Sequence, residues 1–180
     1  MRILLACVGL AVAAAIGGVA FVYSGLADVA ATSHHWPPTR WILSTTMESS
    51  VRRHAHGITP PDSFDGDDHV HEGAVAYDEM CASCHGAPGS EPGVVGKGLN
   101  PEPPDLSKEA DAWSAAEIFW VTENGVRMTG MPAFGPTHSE DELWDLVALV
   151  KRLPRLSTPE YRALLAPRAG DELHHHAHDH

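Results

Sequence analysis

The sequence predicts an all-α protein: an apolar helix at the N-terminus, a second helix behind it, and three main helices framing a single domain. Three observations carry the prediction. Ile3 to Tyr23 is a run of 21 residues without a charge, apolar residues elsewhere recur at helical spacing, and two Ser-x-x-Glu boxes mark helix starts. At 180 residues the chain has room for one domain and its appendages. No segment alternates as a strand does, and no internal repeat is visible.

The first element follows Arg2 and precedes Asp28. At ~1.5 Å rise per residue it can span a ~30 Å hydrocarbon core. A cleaved signal peptide, with Val29-Ala30-Ala31 as the cleavage site, is the competing reading, but its apolar stretch is usually about 7 to 15 residues. The run here is longer, so residues 1–27 read as a retained transmembrane anchor. Both readings export the rest of the chain. Arg2 favours a cytoplasmic N-terminus, which makes this a single-pass protein of a bacterial inner membrane with its domain in the periplasm. Cys7 lies before most of the apolar run rather than after it, so it reads as a packing or lipid-facing residue and not as a lipid anchor.

Residues 28–63 read as a juxtamembrane helix and linker. Pro38 suits a helix start, Leu43, Met47, Val51 and Ala55 make one stripe, and Gly57 with Pro60-Pro61 ends it. Trp36 and Trp41 suit headgroup level, so the helix either lies on the membrane or packs on the domain. The main domain is residues 64–157. Asp67 or Asp68 is expected to cap its first helix, which carries Val70, Ala74, Tyr77 and Met80 and runs into Cys81. Gly86 to Ser107 is too rich in Gly and Pro for regular structure and must gain order by packing on something large. The box Ser114 to Glu117 opens a second helix that Gly125 stops in a left-handed conformation; Ser139 to Glu142 opens a third, with Leu143, Leu146, Val147 and Val150 inward, closing before Pro154. Residues 158–180 are a short helix and a His-rich tail.

The chemistry is concentrated in few residues. A formal charge of −12 and a pI near 5.4 exclude nucleic acid as a partner and point to partners with a basic docking patch. Of three cysteines, Cys81 and Cys84 fall in C-A-S-C-H, the spacing of c-type haem attachment. The thiols can add to the two haem vinyl groups as thioethers, and His85 can bring its imidazole to the iron. A zinc site wants four ligands and no second Cys pair exists. For the sixth position, Met131 in T-G-M-P-A-F-G offers a soft thioether, which raises a haem potential. Gly130 allows close approach and Pro132 stiffens the loop. Met128, three residues earlier, is the rival, and His138 follows.

C-A-S-C-H near the start of the domain, P-P-D-L after a Gly-rich loop, G-M-P-A-F and a last helix occur in the order that resembles a class I cytochrome c, over about residues 69–156. The anchor with H-W-P-P-T-R-W and S-V-R-R-H-A resembles a membrane-anchored monohaem bacterial subgroup. The resemblance implies the class I fold of three main helices around one covalent haem c, ligated by His85 and Met131. It implies further that the Pro104 carbonyl accepts a hydrogen bond from the far nitrogen of His85, and that Gly73 and Tyr77 pack against Trp144 where the first and last helices cross. Electron transfer between periplasmic or membrane redox partners, without catalysis, is the implied function. A haem relay subunit of a membrane dehydrogenase or oxidase complex is the alternative. A haem peroxidase or gas sensor would need an open iron, which Met131 argues against.

The chain has thirteen histidines in all. The H-x-H pairs His54/His56 and His69/His71 face different sides of a helix, which disfavours a shared metal. The tail His174-His175-His176-Ala177-His178-Asp179-His180 can wrap a divalent copper, nickel or zinc ion.

Overall fold

The structure is a computed structural model describing residues 1–167, and the metal-binding tail expected at His174 to His180 lies outside the described residues. Two compact units are present, Met1–His35 and one that begins at Trp36.

The first unit is helix α1 (Arg2–Tyr23), exposed along its whole length. Among the described residues it is the one helix long and apolar enough to cross a bilayer. Beyond it, Asp28 accepts the Ala30 N–H at 2.9 Å and the Ser33 hydroxyl. The Ser33 bond, then the Ala30 bond, hold its carboxyl below the usual range.

The second unit opens with α2 (Pro37–Ala55), whose proline pair presets the first helical turn and whose end is followed by Gly57 at φ +108°. The stripe behaves differently along its length. Val51 and Ala55 are buried and Met47 is half-buried, but Leu43 is 53% exposed. The second half of α2 packs on α7 (Ala115–Asn124): the His54 ring stacks on Trp120 at 5.1 Å and Arg52 Nε lies 3.8 Å from Glu117. Of the two sequence readings, packing on the domain therefore holds for that half.

The core forms where α3 (Asp67–Met80) crosses α8 (Glu140–Arg152). Gly73 sets the distance: a Cβ there would stand 2.0 Å from the Asp145 carbonyl oxygen, so only glycine lets the backbones meet. Val70, Ala74, Leu143, Leu146, Val147 and Val150 are buried in this core, as their helical spacing predicts, and Leu149 joins them. Trp144 is buried in the same core as Tyr77. It stacks on Phe119 at 4.4 Å and meets Phe64 edge-on at 5.5 Å, while the Tyr77 ring meets Tyr161 at 6.5 Å.

Helix starts follow two chemistries. Ser114 and Ser139 make full capping boxes with Glu117 and Glu142, and a third, Ser157 with Glu160, opens α9 (Thr158–Leu164). The start of α3 corrects the expected Asp cap: Gly66 is the cap residue, and Asp67 and Asp68 occupy the first turn, where carboxylates complement the exposed N–H groups. Arg152 then reaches across to Asp67 at 2.9 Å and to the Asp65 carbonyl at 3.0 Å. Gly125 ends α7 at φ +65°, ψ −172°, a positive-φ extended conformation rather than the left-handed helical one expected. The Gly- and Pro-rich segment contains more order than predicted, in two single turns, α5 (Val94–Lys97) and α6 (Leu106–Glu109). Among the described residues there is no strand beyond an isolated bridge between Ala87 and Ser90.

Candidate functional site

Cys81 closes α3, and the chain continues at once as the single turn α4 (Ala82–His85). The N–H groups of Cys84 and His85 both donate to the Cys81 carbonyl, at 3.0 and 2.9 Å. The cysteine motif is thus a turn of its own behind the helix end, and Gly86 at φ +70° redirects the chain after it. A hydrogen bond from Tyr77 Oη to the Gly86 carbonyl, at 2.8 Å, pins that corner to α3. Burial pushes the Tyr77 phenol well above its usual pKa, so it stays a donor.

Cys81 and Cys84 are free thiols, both half-buried. Burial, helped by Cys84, pushes the Cys81 thiol up to about 12, so the pocket favours a neutral sulfur over a thiolate. His85 Nδ1 lies 2.9 Å from the Pro104 carbonyl oxygen. A carbonyl only accepts, so Nδ1 carries the proton and Nε2 keeps its lone pair. Burial lowers the His85 pKa against the opposing pull of that carbonyl, which keeps the ring neutral and able to ligate.

The loop that carries Met131 is tied down from both ends. Val126 N–H donates to the Met131 carbonyl at 3.2 Å, Met131 N–H to Thr129 Oγ1 at 3.1 Å, and the Thr129 hydroxyl back to the Val126 carbonyl at 2.7 Å. Phe134 and Gly135 N–H groups donate to the Thr122 and Glu123 carbonyls at 3.1 and 2.9 Å, stitching the loop to α7. Met131 is half-buried, whereas Met128 sits at φ +63° and is 91% exposed. His138 turns Nδ1 to the Thr137 hydroxyl at 2.9 Å, and its ring packs edge-on against Phe134.

Sequence reasoning missed the residues that join these parts. A Cβ on Gly96 would stand 2.7 Å from the Cys84 carbonyl oxygen, and one on Gly130 would stand 2.6 Å from the Leu99 side chain. The segment from Gly96 to Leu99 therefore wedges between the cysteine turn and the Met131 loop. Glycine richness was its only signal. Three other histidines are otherwise engaged: His69 Nδ1 lies 2.6 Å from Asp145 Oδ1, His71 is buried, and His54 stacks on Trp120. Among the described residues no three His, Cys, Asp or Glu side chains are grouped to hold a metal ion.

The donor set present is two thiols, one imidazole with a free Nε2 and one thioether-bearing loop. Zinc asks for four ligands and draws thiols as thiolates. A haem asks for the set found here.

An all-helical domain closed by its first and last helices, with Cys-x-x-Cys-His behind the first, is a class I c-type cytochrome domain, and it binds haem for electron transfer. Residues 68–150 match a family described as Cytochrome C oxidase, cbb3-type, subunit III. No curated protein matches the chain.

Proposed function

We propose that the protein is a monohaem c-type cytochrome, held to the bacterial inner membrane by residues 1–27, that passes single electrons between periplasmic or membrane partners. Haem bound in the domain supplies a one-electron iron couple. Cys81 and Cys84 would hold it through thioethers and His85 through Nε2, whose tautomer the Pro104 carbonyl fixes. Met131 would be the other side chain holding the iron, and its neutral thioether would favour the ferrous state and disfavour peroxide or gas binding. Residues 28–63 connect anchor to domain, residues 64–157 form the cytochrome domain, and residues 158–180 add a short helix and a His-rich tail able to take a divalent metal. The acidic surface suits transient docking to a basic patch on a redox partner.

The observation that carries this reading is the His85–Pro104 hydrogen bond beside two free cysteines, since it leaves one nitrogen committed as donor and the other open to a metal. Covalent attachment is the testable core. After denaturation and acid–acetone extraction the haem should stay with the polypeptide, one per chain by pyridine haemochrome assay. Colour in the solvent phase would end the c-type assignment.

A second reading, a relay subunit of a membrane oxidase, is favoured by the description of the matched family. Purification in mild detergent separates the two, because a subunit should co-elute with haem-bearing partners.

A further inference from the structure

The first half of α2 has no counterpart in the domain it leads to. Every residue from Trp36 to Thr46 is exposed, including Trp36 at 73% and Trp41 at 67%, and Arg40 is the one charge among them. The second half, by contrast, is docked on α7 through Val51, Ala55 and the His54–Trp120 stack. One continuous helix is thus fixed at one end and exposes Trp36, Trp41, Ile42 and Leu43 at the other.

We propose that the overhanging half of α2 is seated in the headgroup layer of the bilayer, making α2 a strut that holds the cytochrome domain at a set orientation to the membrane. The inference rests on α1 spanning that membrane. Three observations select lipid as the occupant. Trp41, Ile42 and Leu43 are consecutive, so at about 100° per residue they point in three directions around the helix. A flat protein surface covers one side of a helix, whereas a fluid headgroup layer wets all of them, and Trp favours that depth. Thirteen residues, Ser24 to Trp36, separate α1 from α2, a reach of about 45 Å at most, so α2 cannot leave the vicinity of the bilayer. Finally, the overhang carries Arg40 and no acidic residue in a chain of charge −12, which suits anionic lipid.

The test uses the full haem-loaded chain in phosphatidylcholine–phosphatidylglycerol vesicles, with bromine placed near the carbonyl end of the acyl chains as a contact quencher. Flotation first reports whether the chain is membrane-bound at all. Bromolipid should then lower the emission of Trp36 and Trp41 about twofold, as for indoles at headgroup level. In the Trp36→Phe/Trp41→Phe protein, which floats equally and has the same haem spectrum because both rings are exposed, bromolipid quenching should vanish. A chain that floats but shows no bromolipid quenching of these two residues would overturn the strut while leaving the anchor intact. A chain that does not float would overturn both.

Discussion

At the scale of single residues, two methionines three positions apart differ in every local property. Met131 is half-buried in a loop hydrogen-bonded on both sides of it, and Met128 is at the exposed turn of the same loop with a left-handed φ. A ligand loop needs its donor held from both sides, and that asymmetry motivates a matched pair of substitutions. Met131→Ala is expected to lose the weak methionine-to-ferric-iron band at the red end of the spectrum, to lower the potential and to bind carbon monoxide. Met128→Ala should keep the band and a closed iron. Should Met128→Ala be the variant that opens the haem, the ligand assignment falls, and should neither do so, His138 becomes the ligand to test.

At the scale of elements, the domain depends on the α3–α8 crossing more than on any one side chain. With the Asp145 carbonyl oxygen 2.0 Å from the place of a Gly73 Cβ, no rotamer change can relieve the clash, because both partners are backbone. Gly73→Ala is expected to cost about 3 kcal/mol, the upper part of the range for overpacked cores. Gly98→Ala, whose nearest neighbours would be 3.5 Å away, should be nearly neutral. Denaturant midpoints of the two variants check the contrast; equal midpoints would show that the crossing tolerates separation. The capping boxes act at the same scale but by another route. Glu142 is held below its usual pKa by the Ser139 backbone N–H and hydroxyl, so its contribution to helix α8 is present above about pH 4.5 and is lost as pH falls through the lowered folded value.

For the whole molecule, the question is whether an acidic haem domain works free or tethered. The 22-residue α1 is fully exposed and apolar, the condition of a segment whose solvent is lipid rather than water. The mature chain is expected to keep it and to sediment with membranes, resisting extraction by high salt and by alkali. Intact-mass analysis decides the matter, since an N-terminus near Thr32 would mean that the segment was a signal peptide. A tethered carrier searches in two dimensions, so its partner must be within reach of the same membrane, a restriction the overhanging half of α2 would sharpen into a fixed orientation.

Much of this was written in local pattern. The uncharged run, the Ser-x-x-Glu boxes, the helical spacing of Leu143 to Val150 and the Cys-x-x-Cys-His turn are each decided within a few residues, because capping, amphipathicity and turn chemistry act over one or two helical turns. Other features required the assembled molecule. Nothing near Gly96 or Gly130 announces that one meets the Cys84 backbone and the other Leu99, since those contacts join residues brought together only by folding. Trp144 could have faced any apolar neighbour, and its place on Phe119 follows from the packing of α7 on α8. The stripe on α2 reads as uniform along the chain, yet only Val51 and Ala55 are buried at its end, because α7 is ten residues long and covers no more than one half of it.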